Sequence, residues 1–279
     1  MNSTFLAALF ALSAGIAWGA GDFTGGMVTR RIGAIYTMFI SYLVALITLV
    51  IIALIRLEPF SPLADLVWGA LAGLFGMAGF GFLLRGFATG RMGIVAPVSG
   101  VLATALPVLF AMFSEGLPRP WQLVGFGLAL VSIWLLSRPE KLVGRPAGLG
   151  MAVLAGLGFG SFFIALDQIG ESSVFWPLAA GRLTACVSVF IFALFTRQLF
   201  IPEVSAIRFL ILLGLLDVGG NLFFLLAVQT GRLDVAAVLA SLYPAVTAIL
   251  ARLIAREHMT HLQVFGLAIA ILAIVLITI

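Results

Sequence analysis

The chain has 279 residues, of which 63% are hydrophobic and 9% are charged, and its mean hydropathy is +1.24. A soluble domain is about half apolar and about a quarter charged, so most of this chain is expected to lie in lipid. The formal net charge of +4 comes from single, scattered basic residues, which argues against nucleic-acid binding. The single cysteine, Cys186, excludes an internal disulfide and a CxxC metal site.

Apolar windows of about 20 residues, long enough to cross a bilayer, occur ten times along the chain. In the first part they cover residues 5–28, 34–55, 66–87, 93–113 and 121–137. In the second part they cover residues 148–168, 176–196, 206–228, 235–255 and 262–279. The first window is longer than the apolar core of a signal peptide and lacks its basic flank, so we interpret it as a span. The sequence predicts an all-α membrane protein with ten transmembrane helices.

The chain is internally duplicated. Thr89-Gly90-Arg91 recurs as Thr230-Gly231-Arg232, a shift of 141 residues. The other recurring pairs are Gly15 and Gly156, Gly19 and Gly160, Gly73 and Gly214, Gln122 and Gln263, Gly125 and Gly266, and, one residue out of register, Glu115 and Glu257. The predicted repeats are residues 1–140 and 147–279. Five spans per repeat is an odd number, so the second repeat must enter the membrane from the opposite side, and we predict two inverted five-helix repeats.

The basic residues predict an orientation in the membrane. Most of them fall in the loops after odd-numbered spans, whereas the other loops contain Arg56, Arg119 and Arg232. Cytoplasmic loops of membrane proteins carry an excess of Lys and Arg. The pattern therefore predicts that the odd loops are cytoplasmic and that both termini lie on the outer side.

The end of each copy has a recurring pattern. Residues 240–279 read ASLYPAVTAILARLIAREHMTHLQVFGLAIAILAIVLITI. This stretch combines a proline-containing span with Glu257 in a short loop, and Gln263 and Gly266 open the last span. A weaker first copy, APVSGVLATALPVLFAMFSEGLPRPWQLVGFGLALVSIWLL, covers residues 96–136.

Together with Trp18-Gly19 in the first span, these stretches resemble the drug/metabolite transporter superfamily, specifically its EamA-type ten-span exporters. The resemblance covers essentially the whole chain. It implies a multi-pass protein of the cell (inner) membrane that transports small metabolites by alternating access, exporting amino acids or related amphipathic solutes. Such exporters commonly have both termini in the cytoplasm, which is the reverse of the orientation that the basic residues predict.

Two charged residues lie well inside predicted spans seven and eight. Asp217 is near the middle of span eight, and Asn221 follows one turn later on the same helical face. Ionising a carboxylate at that depth costs several kcal/mol unless it is paired, protonated or hydrated, so Asp217 either lines the translocation path or is hydrogen-bonded for structure. Arg182, in span seven, is within reach of the depth of Asp217. It pairs with Asp217, contacts an anionic or zwitterionic substrate, or extends to the interface.

Trp18 and Asp22 lie one turn apart in the first span. An aromatic ring next to an acid suits a cationic or aromatic solute. The alternative is an interfacial ion pair, because Asp22 is level with Arg30, Arg31 and Arg85.

Proline and the remaining polar residues give weaker signals. Pro97 and Pro244 are expected to interrupt spans four and nine, which either frees backbone carbonyls for a cavity or only kinks the helix. Tyr243 donates either to a substrate or to a neighbouring carbonyl. His258 and His261 are interpreted as a solvated loop rather than as a metal site. Glu115 and Glu257 are expected to anchor loop turns at equivalent ends of the two copies.

The predicted function is therefore secondary transport. No GxxxxGK[ST] motif for an ATP-driven pump is found in the sequence, and we expect no enzymatic activity, catalytic residue, cofactor or metal. The expected partners are a small-molecule substrate, the lipid bilayer and, as a candidate, a coupling proton. The predicted substrate-binding residues are Trp18, Arg182, Asp217, Asn221 and Tyr243, and the coupling or gating candidates are Asp22, Asp217, Pro97 and Pro244.

Three other functions are alternatives to the transport of small metabolites. An intramembrane enzyme needs convergent His, Cys or paired acids at one depth, and the sequence does not provide them. A structural or scaffold membrane protein without transport, and a lipid-carrier flippase of the same fold, stay open as alternatives.

Overall fold

The computed structural model describes residues 3–89, 92–136, 148–171, 173–197, 206–254, 256 and 260–278. This part of the chain is helical and contains no strand. Its helices are α1 (Ser3–Ile32), α2 (Ala34–Ile55), α3 (Leu63–Thr89), α4 (Met92–Ser114), α5 (Pro120–Leu136), α6 (Leu149–Asp167), α7 (Phe175–Phe195), α8 (Ile207–Thr230), α9 (Leu233–Ala240), α10 (Tyr243–Leu253) and α11 (His261–Thr278).

Seven helices in the described residues are long and apolar enough to cross a membrane: α1, α2, α3, α6, α7, α8 and α11. Shorter apolar helices cover Val98–Ser114, Pro120–Leu136 and Leu233–Thr247. Every predicted apolar window overlaps a helix of the described residues, and the window at 235–255 is divided between α9 and α10. Large apolar side chains such as Ile16, Ile55 and Phe195 are exposed on the outside, as expected of helices that face lipid.

Helices of one half of the chain pack mainly against helices of the other half. α1 lies along α8 and α3 along α6; α4 packs against α6, and α1 packs against α9 and α10. α2 packs against α7, and α5 packs against α11. With α9 and α10 counted as one helix, α1 corresponds to α6, α2 to α7, α3 to α8, α4 to α9–α10 and α5 to α11. Under this correspondence, each of these contacts is equivalent to another contact of the set or to itself. The packing therefore follows the duplication in the sequence.

The recurring glycines make equivalent contacts. A Cβ atom on Gly15 would lie 3.0 Å from the carbonyl oxygen of Ala240, and one on Gly156 would lie 2.9 Å from that of Ser99. Ser99 and Ala240 are themselves related by the shift of 141 residues. Small residues let helix backbones approach closely where lipid provides no hydrophobic driving force for association. These glycines are therefore needed for the contact between the halves.

The recurring glutamines also make equivalent contacts. Gln122 Nε2 donates to the carbonyl oxygen of Ile277 at 3.2 Å, and Gln263 Nε2 donates to that of Leu136 at 3.4 Å. Each glutamine stands in the first turn of its own helix and reaches the last turn of the partner helix. A glutamine side chain therefore joins α5 and α11 by a hydrogen bond at each end of the helix pair.

The structure corrects one expectation about the prolines. α4 continues through Pro97, so span four is not interrupted there. Pro97 lies in the second turn of the helix, where a missing N–H removes a single backbone bond. The expected break in span nine is present: α9 ends at Ala240 and α10 begins at Tyr243, with Pro244 in its first turn, where proline is tolerated.

Some predicted landmarks lie outside the described residues. These are Gly90, Arg91, Glu257, His258 and the connector at 137–146. His261 opens α11 and is exposed.

Candidate functional site

A buried ion pair lies between α7 and α8. Arg182 Nε is 2.8 Å from Asp217 Oδ2, and the two side chains are 11% and 19% exposed. Asn221 Nδ2 donates to Asp217 Oδ1 at 3.2 Å and to the Asp217 carbonyl oxygen at 2.6 Å. The Arg182 guanidinium also lies 5.2 Å from the centroid of the Tyr42 ring, on α2, within cation–π range. The arrangement holds a charged pair and an amide at one depth among three helices.

Small residues next to these side chains bring the helices together. A Cβ on Gly73 of α3 would overlap the backbone of Gly181, the residue before Arg182. A Cβ on Gly214 of α8 would lie 2.7 Å from the Ser41 carbonyl oxygen on α2. Because Gly73 and Gly214 are equivalent in the two copies, the duplicated scaffold itself positions the charged cluster.

Of the three interpretations that the sequence left open for Arg182, the structure shows the pairing with Asp217. Each partner offsets part of the desolvation penalty of the other, and the paired Arg182 side chain is buried. Whether Arg182 and Asp217 also contact a substrate stays a prediction. A cavity of about 10 Å³ beside Arg182 and Asn221 is also lined by Phe162 and Gly73. That volume holds about one water molecule, so a metabolite needs movement of the helices to bind there.

Trp18 is part of an aromatic cluster at the centre of the bundle. Its ring centroid lies 6.1 Å from that of Phe162, 5.7 Å from that of Phe163 and 5.7 Å from that of Phe224. Phe163 and Phe224 are buried. Trp18 is therefore packed in the core in this conformation, and its role in substrate binding stays a prediction.

Asp22 differs from Asp217 in its surroundings. Its side chain is exposed, and it makes neither a hydrogen bond nor an ion pair with the described residues. The side chain of Arg30, one of the partners expected for an interfacial ion pair, lies outside the described residues. Tyr42 and Tyr243 lie within electrostatic reach of its carboxylate. The structure thus brings Asp22 close to Tyr243 and to the helix that carries Tyr42.

The break in span nine lies against α1. Thr247 Oγ1 donates to the Gly19 carbonyl oxygen at 3.1 Å and to the Tyr243 carbonyl oxygen at 3.2 Å. The Ser241 hydroxyl, in the break, is buried without a hydrogen-bond partner in the described part of the chain. The irregular backbone is thus enclosed by protein, as non-helical backbone at membrane depth must be.

Sequence reasoning did not identify a group of loop residues that join the two halves at one end of the bundle. The Glu58 carboxylate accepts hydrogen bonds from the backbone N–H groups of Val174, Phe175 and Trp176 at 2.7 to 3.2 Å. Trp176 Nε1 donates to the Glu58 carbonyl oxygen at 3.1 Å. A carboxylate at the N-terminus of α7 satisfies otherwise unpaired N–H groups and complements the helix dipole.

Three further contacts extend this network. Asp65 Oδ1 accepts from the Gly170 N–H at 3.1 Å, Gln229 Nε2 donates to the Gly170 carbonyl oxygen at 2.9 Å, and the Ser61 and Ser173 hydroxyls are hydrogen-bonded. We call this end of the bundle, formed by the α2–α3, α4–α5, α6–α7 and α8–α9 loops, the closed end.

Arg232 completes the closed end. It pairs with Asp234 at 2.7 Å and lies 3.8 Å from Glu115, and it donates to the carbonyl oxygens of Glu115 and Gly116 at the end of α4. Glu115 Oε1 accepts from the Leu233 N–H at 3.1 Å, which confirms the expected loop anchor. The hydrogen bond to Asp234 raises the pKa of Arg232, and burial raises the pKa of Glu115. The recurring Thr-Gly-Arg motif was the available signal for this cluster.

These features define a multi-pass helical membrane protein with two similar halves and a charged pair between its helices. The chain belongs to the EamA-like transporter family, whose model matches residues 5–138 and 146–279. The two matches correspond to the two copies in the sequence. The protein is therefore an integral membrane transporter of the drug/metabolite transporter superfamily, acting on a small-molecule substrate across the lipid bilayer.

Two further similarities agree with this assignment. The uncharacterized protein MJ1333.1 of Methanocaldococcus jannaschii is 25% identical over 131 residues, which is 47% of this chain and 94% of that protein. A protein of known crystal structure superimposes with a TM-score of 0.79 at 16% identity, covering 98% of this chain and 96% of that chain. The first match has about the length of one repeat, and the second establishes a shared fold.

Proposed function

We propose that the protein is a secondary transporter that moves small metabolites by alternating access and exports amino acids or related amphipathic solutes. The observation that carries the proposal is the Arg182–Asp217 pair with Asn221, a polar cluster on α7 and α8 that lies against Tyr42 of the first half. Polar groups at membrane depth are costly, and they commonly mark a substrate or ion pathway. In such carriers the site lies near the bilayer midplane, where the two repeats meet.

The proposed architecture is ten spans in two inverted repeats, residues 1–140 and 147–279. Counting α9 and α10 as one broken span gives five helical segments in each half. The helix contacts and glycine contacts that occur equivalently in the two halves support a twofold relation between them. An odd number of spans per half requires the axis of that relation to lie in the membrane plane.

The two ends of the bundle support alternating access. At the closed end, Glu58 and Arg232 join loops of one half to loops or helix ends of the other. Towards the opposite end of α1, the Asp22 side chain is exposed. In this conformation, hydrogen bonds hold the two halves together at the closed end, and the interior is accessible from the opposite end. A carrier that works by alternating access needs such a conformation as one of its two states.

Cysteine labelling tests this mechanism. Cys186 is the only cysteine of the chain and is buried, so Cys186→Ala provides a cysteine-free background. Ser173→Cys then probes the closed end, and Gly26→Cys, one turn after Asp22, probes the opposite end. Without solute we expect a bulky maleimide to label position 26 and to leave position 173 unlabelled. A solute identified by flux from proteoliposomes, screened over amino acids first, should raise labelling at 173 and lower it at 26.

The outcomes of this experiment separate the alternatives. Labelling that does not respond to a transported solute contradicts alternating access. An absence of solute flux together with lipid scrambling supports a lipid-carrier flippase, and an absence of both supports a scaffold.

Orientation and coupling belong to the same proposal. The basic loops favour termini outside the cytoplasm, so alkaline phosphatase fused after α11 should be active and a green fluorescent protein fusion should be dark. The reverse result places the termini in the cytoplasm, as is common in similar exporters. Asp217 is the proposed proton carrier: Asp217→Asn should then remove the dependence of net flux on a pH gradient while solute exchange continues.

A further inference from the structure

We propose that Asp22 binds the positively charged group of the transported solute, so that this carrier selects solutes with an ammonium or another organic cation. The inference rests on the proposed transport function and narrows its substrate class. It is carried by the position, exposure and charge of Asp22 relative to the Arg182–Asp217 pair.

Asp22 lies on the face of α1 that is buried along the first part of the helix. Ala8, Gly15 and Asp22 follow one another at intervals of seven residues, or about two helical turns, so they point in the same direction. Ala8 is 2% exposed and Gly15 is buried against α9, whereas Asp22 is exposed. The neighbouring face of α1, with Leu9 and Ile16 at 47% and 58% exposure, faces lipid.

Asp22 is therefore exposed to a gap in the bundle and not to the surrounding lipid. Its side chain is exposed although it points to the side of α1 on which Ala8 and Gly15 are buried. One turn further on, a Cβ atom on Gly26 would have no other atom within 4 Å. The interior face of α1 thus loses its packing from Asp22 onward, and the cleft opens there.

The charges around the cleft favour a cation. Arg182 is committed to Asp217 and to the Tyr42 ring, so an anionic group reaches it only by breaking a buried pair. Asp22 has no ionic or hydrogen-bonding partner in the described residues. Its carboxylate therefore has no counter-charge within salt-bridge distance among the described residues. A cationic ligand offsets the penalty of that carboxylate, and Tyr243, which lies within electrostatic reach of it, is an aromatic residue of the kind that attracts an ammonium group.

Matched pairs of charged and neutral compounds test the proposal on the full-length protein in detergent. One pair is choline and 3,3-dimethyl-1-butanol, and the other is phenethylamine and 2-phenylethanol. Calorimetry should show that at least one charged compound binds about tenfold or more tightly than its neutral partner. Asp22→Asn should remove this preference, and Asp22→Glu should retain it. Asp167→Asn, which neutralises an acid at the closed end, is the matched control and should bind as the wild type does.

Several results overturn the proposal. The proposal is wrong if the charged and neutral members of both pairs bind with equal affinity. It is also wrong if the Asp22→Asn protein folds normally by size-exclusion chromatography and still prefers the charged compounds. If Asp22→Asn binds the cation normally and loses only the effect of a pH gradient on flux, Asp22 is a proton site instead. Flux of the bound cation from proteoliposomes keeps the two proposals apart. If the protein prefers the charged compounds but does not transport them, the cation site is supported and the transport function is contradicted. If it transports solutes without a preference for the charged compounds, transport is supported and the cation site is contradicted.

Discussion

The two halves of the chain share their packing residues and differ in their charged residues. Gly15 and Gly156, and likewise Gln122 and Gln263, make equivalent contacts. Arg182, Asp217 and Asn221 have no such counterparts, because the residues 141 positions earlier are Ser41, Gly76 and Phe80. The scaffold is therefore nearly symmetric, and the polar cluster belongs to the second half.

This difference has a physical reason. Helices in lipid associate through close packing of small residues, and a carrier that exchanges between two related states needs that packing in both halves. A charged group at membrane depth is expensive wherever it stands, so it is retained where a solute or a proton uses it. A small solute has no twofold symmetry of its own, and one asymmetric cluster is enough to bind it.

Breaking the charged pair should have the largest effect. Asp217→Asn and Arg182→Gln each leave one buried charge without its partner, which costs on the order of 3–5 kcal/mol. We expect solute flux from proteoliposomes to fall at least about tenfold in both variants. Denaturant titration of the purified proteins measures the stability loss beside the flux.

The double variant Arg182→Gln/Asp217→Asn separates stability from transport. It contains no unpaired charge, so its stability should recover towards that of the wild type while flux stays low. Arg208→Gln, which removes an arginine stacked on Phe209 at the start of α8, is the control and should transport normally. If flux recovers together with stability in the double variant, the pair serves only the fold.

Breaking the shared scaffold should have a smaller effect, and both halves should show it. Gly73→Ala places a methyl group against the Gly181 backbone, and Gly214→Ala places one against the Ser41 carbonyl. Overpacking of this kind costs about 1–3 kcal/mol. We expect both variants to lose stability by that amount in a thermal or denaturant titration of the purified protein.

Each variant has a control in its own helix. A Cβ on Gly81 of α3 would meet no atom within 4 Å, and one on Gly219 of α8 would be 3.8 Å from the Ala17 Cβ. Gly81→Ala and Gly219→Ala should therefore be as stable as the wild type. Equal stability of Gly73→Ala and Gly81→Ala would show that the close approach of α3 and α7 is not needed.

Much of the scaffold could be predicted from the sequence because apolar length and repetition are local signals. The window at 34–55 coincides with α2, Ala34–Ile55. The contact between Arg182 and Asp217 was one of the open interpretations, since depth along a helix follows from residue count. The duplicated glycines and glutamines recur in register at a shift of 141 residues in the sequence.

Apart from the Glu115 loop anchor, the contacts of the closed end could not be predicted, because they depend on where loops and helix ends meet in space. Glu58 binds backbone N–H groups at the start of α7, and backbone groups carry no sequence signal. The exposure of Asp22 depends on where packing around α1 stops. The continuity of α4 through Pro97 is also set by context, since proline alone indicates a break.

The smallest expected effect concerns the glutamines that join α5 and α11, and it tests the symmetry most finely. Gln122 accepts from the Arg119 N–H at 3.1 Å and donates to Ile277; Gln263 accepts from the Thr260 N–H at 3.0 Å and donates to Leu136. Replacing either with Glu keeps the acceptor that caps its own helix and removes the donor to the partner helix. Each change should therefore cost about 1 kcal/mol or more, and the cost should be larger at Gln122, which is buried, than at the partly exposed Gln263. Gln→Ala at the same positions also removes the cap and should cost more. If one Gln→Glu variant is neutral and the other is not, the two ends of the α5–α11 pair are energetically different despite their equivalent contacts.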